Sequence, residues 1–234
     1  MAKISFLEKV NSYFNSSDSK IIDGLSYSSD SMFIFAKNIN KSLVVAENND
    51  HANRIYRELV FLNKNKKNSD EIILIPGTEE MPYDMVDSDK YLSSKKNLGL
   101  IRYIRSKSKR IKVITTSKNL QKKLIPFEIL NNETLSIKKN EIIDIDYIRN
   151  HLISIGYVYS PQVNFHGEFS VRGSLIDIFP GGYDLPIRID LNDVEIDDVK
   201  YFDIESQITI KKAIDDEIYI VPMGNIVLKE NNII

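Results

Sequence analysis

The stretch 23–31 (DGLSYSSDS) is the part of this chain whose residue types come nearest to a nucleotide-binding motif. Compared with the phosphate-loop pattern GxxxxGK(S/T), Gly24 matches the first glycine and Ser31 matches the final hydroxyl residue. Ser29 stands where the second glycine belongs, and Asp30 stands where the lysine belongs. A carboxylate in place of that lysine repels phosphate, at a cost on the order of several kcal/mol for an effective dielectric constant near ~20. The stretch therefore predicts a degenerate phosphate loop that binds no nucleotide.

Side chains that bind metals or act as nucleophiles are scarce. The chain has no cysteine and three histidines, so a disulfide framework and a thiolate metal site are excluded. His166 is interpreted as a structural residue of a turn. Acidic residues alternate along 193–198, as is typical of an exposed hairpin, and a cation site there is the alternative. We therefore expect no catalytic residue, no bound metal, no cofactor and no enzymatic activity.

The overall charge is close to neutral, with 31 Lys and Arg, 33 Asp and Glu, and a formal net charge of -2. Such a chain lacks the overall electrostatic attraction that draws proteins to nucleic acids or anionic membranes. The basic run 102–110 is interpreted as a solvated helix end, and contact with a DNA backbone is the alternative. The N-terminus lacks the apolar core of a signal peptide, and no apolar run reaches about 18 residues. These features are typical of a cytoplasmic protein.

Apolar periodicity predicts an α/β domain over residues 21–124, preceded by a helix and a linker in residues 1–20. Strands that alternate with helices form a parallel sheet covered on both faces. The predicted strands are 42–47, 71–75 and 111–115, and the predicted helices are 29–38, one capped by Asp50, and one from Ser88 or Asp89 to about 106.

After Pro126 the pattern changes to that of a small antiparallel α+β domain, over residues 125–212. A helix at about 144–154 ends at Gly156, and short strands separated by turn residues follow. The pair Asn192 and Asp193 is typical of a hairpin turn. Residues 213–234 are expected to begin a further, truncated domain. The predicted strands are 157–163, 167–172, 174–179, 186–191 and 194–202.

Strand alternation indicates which side chains of this second domain face outward. Phe169 and Val171 point to the apolar side of their strand, and the residues between them point to the other side. Two arginines among acids on an outward face suit pairing with the carboxylates of a protein. An ordinary solvated sheet face shows the same period, so a surface without a partner is the alternative. The predicted outward set is Glu168, Ser170, Arg172, Arg188 and Asp190.

Several motifs occur in the order and at the spacing typical of one protein family. They are 80–84 (EMPYD) with 91–95 (YLSSK), 156–157 (GY), 162–163 (QV), 166–173 (HGEFSVRG), 175–180 (LIDIFP), Leu185-Pro186 with Arg188, and 202–207 (FDIESQ). From about residue 20 to 222 the chain resembles the N-terminal, UvrB-like module of bacterial transcription-repair coupling factors (Mfd). UvrB is similar here but carries an intact phosphate loop and lacks the HGEF segment, which favours the coupling factor.

The resemblance implies a RecA-like first domain and a second domain that binds UvrA in nucleotide-excision repair. Ser170 and Val158 depart from it, since each stands where related sequences have arginine. Positions that match UvrA-contacting ones are Arg172, Arg188 and Asp190, and the implied binding set adds Glu168, Phe169 and Ser170.

In the full-length protein, the resemblance implies that RNA polymerase and DNA are bound by domains beyond residue 234. An ATP-dependent DNA translocase would lie there too, and an intramolecular contact with the C-terminal domain is left open. Two other functions remain as alternatives: a UvrB-like DNA-contacting domain and an NTP-dependent helicase fragment. The residues at the phosphate-loop positions disfavour the second of these.

Overall fold

A computed structural model describes residues 22–25, 27–37, 39–64, 69–77, 90–212 and 217–224. They belong to two compact units. The first consists of Met1–Gly77 and Arg102–Lys122, and the second of Thr78–Ile101 and Lys123–Ile234. This division places residues 90–101 in the second unit, whereas the sequence pattern assigned them to the first. The predicted N-terminal helix and the 80–84 motif lie outside the described residues.

The first unit contains a parallel three-stranded sheet, as the alternation of strands and helices predicted. Its strand order is β1-β3-β2, with both neighbours of β3 parallel to it. The strands are β1 (Lys41–Ala46), β2 (Glu71–Leu74) and β3 (Ile111–Thr116), and the helices are α1 (Ser29–Ala36), α2 (Asn49–Asn63), the end of α3 (Lys90–Arg105) and α4 (Ser117–Leu120).

Helix α2 packs against one face of this sheet. Its N-terminal cap is Asn48, whose side chain accepts the His51 N–H, and not Asp50 as the sequence suggested. An N-cap side chain satisfies a backbone donor that has no partner within the helix. The apolar side chains recur at helical spacing and pack against residues of all three strands. The buried cluster is Ala46, Ala52, Ile55, Leu59, Leu74 and Ile114.

The second unit contains a six-stranded sheet of order β10-β9-β8-β7-β6-β5, antiparallel except for the parallel pair β5 and β6. A separate two-stranded antiparallel sheet pairs β11 with β4. The elements are α5 (Phe127–Glu133), β4 (Leu135–Ile137), α6 (Ile145–Ser154), β5 (Val158–Tyr159), β6 (Glu168–Arg172), β7 (Leu175–Ile178), β8 (Ile187–Asn192), β9 (Glu195–Phe202), β10 (Thr209–Lys212) and β11 (Ile218–Ile220).

Local sequence signals account for both ends of α6. The Asp144 side chain accepts the N–H groups of Asp146 and Tyr147 at the N-terminus. Gly156, with φ of +95°, ends the helix in a left-handed conformation that glycine adopts without strain. The Tyr157 N–H then donates to the Leu152 carbonyl at 2.9 Å, as in a Schellman motif.

The segment 217–224 is part of the second unit. β11 pairs with β4, and the Met223 N–H donates to the Ile155 carbonyl at 3.0 Å. The Tyr157 hydroxyl donates to the Val221 carbonyl at 3.1 Å. The expectation that residues from 213 onward begin a further domain therefore does not describe this segment. It was missed because a three-residue strand shows too little periodicity to be recognised in sequence.

Candidate protein-interaction site

The polar face of the six-stranded sheet is centred on Asp177 of β7. In the strand register, Asp177 lies between Ser170 of β6 and Arg188 of β8. Its side chain is 1% exposed. A buried carboxylate is costly unless it is paired and hydrogen-bonded, so its partners decide what this face can do.

Arg188 is the main partner of this carboxylate. Its Nε lies 2.7 Å from Asp177 Oδ1 and its Nη2 lies 2.9 Å from Oδ2, a two-pronged pairing. Its Nη1 donates to the Gln207 carbonyl at 3.1 Å, and its guanidinium lies 4.7 Å from the centre of the Phe202 ring. The hydrogen bonds to Asp177 raise the pKa of Arg188. Arg188 is therefore committed to contacts within the sheet.

Arg172 has a different environment. Its Nη2 donates to Asp177 Oδ2, but its side chain is 48% exposed, compared with 15% for Arg188. One carboxylate thus anchors two guanidinium groups, which leaves one net positive charge at this cluster. Much of that charge is presented to solvent by Arg172.

Asp190 forms a neighbouring cluster of opposite sign. Its carboxylate pairs with Lys200 of β9, and Asp198 lies 3.7 Å from the same ammonium group. The hydrogen bond that Lys200 donates to Asp190 raises the pKa of Lys200. Two carboxylates around one ammonium leave one net negative charge. Because Asp190 and Arg172 occupy one cross-strand row two strands apart, their backbones are separated by about 10 Å.

The other three residues of the predicted binding set have structural contacts. Glu168 accepts the backbone N–H groups of Asn164 and Phe165 at 2.8 and 3.0 Å and so closes the turn before β6. Phe169 is fully buried. Ser170 was expected to face solvent, but it is 1% exposed, and its hydroxyl donates to the Pro161 carbonyl at 3.3 Å. Burial therefore does not alternate along β6 as predicted, because a neighbouring segment covers Ser170.

Several family motifs meet in the interior of the second unit. The His166 ring lies 3.8 Å from the Phe179 ring and 4.5 Å from the Tyr91 ring, measured between centres. Its Nε2 lies 2.9 Å from the Tyr183 carbonyl. These contacts with Phe179, Tyr91 and Tyr183 give His166 the structural role that the sequence suggested. The hydroxyl of Tyr157, from the motif 156–157, is also buried, and burial is the main cause that raises its pKa.

A second polar cluster lies at the start of α1 in the first unit. Asp30 accepts a hydrogen bond from Arg54 Nη2 at 2.5 Å, and His51 Nε2 lies 3.0 Å from it. Arg54 also lies 3.2 Å from Glu58. Partial burial acts to raise the pKa of Asp30, but hydrogen bonds from Arg54, His51 and the Ser31 N–H outweigh burial and lower the pKa to about 2. Asp30 is therefore ionised at neutral pH.

The described residues contain no group of three or more His, Cys, Asp or Glu side chains placed to hold a metal ion. Their helices include none with the length and apolar character needed to span a membrane.

The unit that holds the Asp177 cluster is similar to a known protein family. Residues 135–225 match the family model of the UvrB interaction domain. All of the matched residues belong to the second unit. The boundaries of this match enclose β4 to β11, so the candidate site lies wholly within the matched region.

Curated relatives extend the similarity beyond this domain. Transcription-repair-coupling factors are 34% identical over 76% of the chain in Haemophilus influenzae, 32% over 58% in Escherichia coli K12, and 44% over 38% in Staphylococcus aureus USA300. The matched regions cover 15%, 12% and 7% of those proteins. The resemblance to the N-terminal module of these factors is thereby confirmed. The chain spans only a small part of its relatives' length.

Sequence reasoning missed Asp177, the residue that organises the polar face. It appeared only within the apolar strand 175–180. An acid flanked by isoleucines is a signal of a buried charge, and a strand that carries such an acid needs arginine or lysine on its neighbours. Recognising the pair from sequence would have required the register between β7 and β8.

Proposed function

We propose that this chain is the non-catalytic N-terminal region of a transcription-repair coupling factor, and that it recruits UvrA during transcription-coupled nucleotide-excision repair. The observation that supports UvrA binding at this site is the half-exposed Arg172 guanidinium, held in place by the buried Asp177 on a UvrB interaction domain. A guanidinium has five N–H donors, so Arg172 retains donors for a carboxylate of the partner.

The charges of the polar face support a specific mode of recognition. The Arg172 cluster carries one net positive charge, and the Asp190 cluster carries one net negative charge. We expect UvrA to present a carboxylate opposite Arg172 and a cation opposite Asp190. Complementary charges of this kind set the register of an interface and disfavour wrong partners. Arg188 would act on UvrA indirectly, by holding Asp177.

The first unit is proposed to be a RecA-like domain with a degenerate phosphate loop. Asp30 and Ser29 stand at the lysine and glycine positions between Gly24 and Ser31. In support, Asp30 is ionised, and a carboxylate at this position would repel a phosphate. The nearby Arg54 and His51 contact Asp30. In the full-length cytoplasmic protein, ATP-driven DNA translocation and RNA polymerase binding would belong to other domains.

UvrA binding is tested by titration of the chain with purified UvrA. Arg172→Ala should weaken binding by about 2 kcal/mol or more, as expected for an interfacial arginine hot spot, and should leave the melting temperature unchanged. Arg149→Ala is the matched control, because Arg149 is a half-exposed arginine of α6 that lies 3.9 Å from Asp146. A normally folded Arg172→Ala chain with unchanged UvrA affinity would refute the interface. A parent chain that fails to bind UvrA would refute the function.

A further inference from the structure

The nearly neutral charge of the chain is the sum of two opposite charges. The first unit, Met1–Gly77 with Arg102–Lys122, contains 18 Lys and Arg against 9 Asp and Glu. The second unit, Thr78–Ile101 with Lys123–Ile234, contains 13 against 24. The formal charges are therefore +9 and -11. Net charge is thus a poor guide to what the first unit attracts.

The cations of the first unit gather where its parallel strands begin. The Ile111 N–H donates to the Asn40 carbonyl at 2.7 Å, and the Glu71 N–H donates to the Arg110 carbonyl at 2.8 Å. The segments before the three strands therefore lie side by side. Asn63, at the end of α2, joins them through a 2.6 Å hydrogen bond to the Asp70 carbonyl. We call this the basic edge, formed by Lys37, Lys41, Lys64, Lys107, Lys109 and Arg110.

Stabilisation of helix ends does not account for this much positive charge. Helices α1, α2 and α3 end near this edge, and each C-terminus contributes about -0.5 of a charge. Of the two acids there, Asp70 pairs with Arg110 at 2.5 Å and lies 3.6 Å from the buried Lys112. Glu71 accepts the Ser106 hydroxyl. Seven cations, Lys112 included, against two carboxylates and three helix ends leave about 3.5 positive charges.

The exposed cations of the basic edge are suited to contact the phosphate backbone of a nucleic acid. Lys41, Lys64, Lys107 and Lys109 are all exposed. Lysine is a compact, flexible point charge that contacts phosphates without a fixed geometry, as binding without sequence preference requires.

We propose that the basic edge of the first unit binds the phosphate backbone of nucleic acid without sequence preference. This function is separate from UvrA binding and does not depend on it. About four lysine–phosphate contacts predict a slope of log affinity against log salt of about -3.6, and hence an affinity loss of about 150-fold between about 50 and about 200 mM salt. Binding would therefore be weak at physiological salt and strong only when a partner holds the chain near nucleic acid.

The test is a fluorescence-anisotropy titration of the whole chain into a short labelled DNA duplex at several salt concentrations. The double variant Lys107→Glu/Lys109→Glu should lose at least about tenfold in affinity at about 50 mM salt and reduce the salt slope by about 2. The control Lys118→Glu/Lys139→Glu makes the same change in net charge with two exposed lysines outside the basic edge. It should stay within about twofold of the parent.

Three outcomes would overturn the proposal. The parent chain could show no binding at the lowest salt. Both double variants could weaken binding equally, which would mean that overall charge decides the affinity. Poly-L-glutamate could bind as tightly as DNA of equal charge, which would assign the edge to acidic proteins. A thermal melt of each variant excludes loss of binding through unfolding.

Discussion

At the scale of single residues, Asp177 holds the polar face together, and its two arginine partners have different roles. Arg188 is nearly buried and contacts Asp177, the Gln207 carbonyl and the Phe202 ring. Arg172 contacts the same carboxylate from the surface. Truncation of Arg188 should therefore cost fold stability, although the alternation of its strand placed it on an outward face. Only Arg172 is positioned to give a clean test of binding.

Removal of the Asp177 carboxylate should unfold the site rather than merely weaken it. Asp177→Ala leaves two guanidinium groups without their shared anion, and breaking a buried ion pair from one side costs about 3–5 kcal/mol. Urea denaturation of the chain, followed by circular dichroism, measures this loss. Asp146→Ala is the control, since its side chain is 85% exposed and should change the free energy of unfolding by less than about 0.5 kcal/mol. Equal stability of the two variants would show that the Asp177 cluster contributes nothing.

At the scale of elements, side chains of α3 hold the part of that helix up to Ile101 within the second unit. The Asn97 side chain donates to the carbonyls of Pro222 and Gly224 at 3.1 and 3.2 Å. The Ser94 side chain packs so close to Gly181 that a Cβ on the glycine would lie 2.2 Å from the Ser94 Cβ. The family motif 91–95 is thus explained by packing between elements distant in sequence.

Gly181→Ala should therefore destabilise the second unit. The added methyl group would overlap Ser94 and lie 2.9 Å from Met223 Sδ, and overpacking of this kind costs about 1–3 kcal/mol. Gly224→Ala is the matched control, because a Cβ there meets no atom within 4 Å. Thermal melts of the two variants should give a lower melting temperature for Gly181→Ala than for Gly224→Ala. A melting temperature for Gly181→Ala that matches the control would contradict the close packing.

At the scale of the whole molecule, the two units carry opposite charge, and we propose a different binding partner for each. The acidic second unit presents the polar face around Arg172, and the basic first unit gathers lysines where its strands begin. Their charges almost cancel in the total of -2. A binding preference inferred from the total charge therefore applies to neither unit, because each unit carries a large charge of its own.

Millimolar Mg-ATP should leave the melting temperature of the whole chain unchanged. A ligand stabilises a protein only by binding its folded state, and an ionised Asp30 at the proposed lysine position would repel phosphate. A thermal melt with and without nucleotide measures the effect. Asp30→Asn removes the repelling charge and serves as the comparison. A clear upward shift for the parent chain, abolished by substitution of Ser31, would show that the loop still binds nucleotide.

The sequence alone determined the features that depend on neighbouring residues. Helical spacing identified α2, strand alternation identified β6 to β9, and Gly156 marked the end of α6, because backbone preferences and periodicity act over a few residues. The motifs 166–173 and 175–180 indicated the family for the same reason. Short elements with little periodicity, such as α5 and β11, were not recognised.

Only the tertiary structure decided which polar residues are available to a partner. Strand register brings Asp177 beside Arg188, and a covering segment buries Ser170, whereas alternation alone had placed Ser170, Arg172 and Arg188 together on an open face. Likewise, the basic edge forms because three strands begin side by side, which joins lysines from positions 37 to 109. Burial and charge depend on contacts between segments far apart in sequence, and a pattern read along one strand or helix does not contain them.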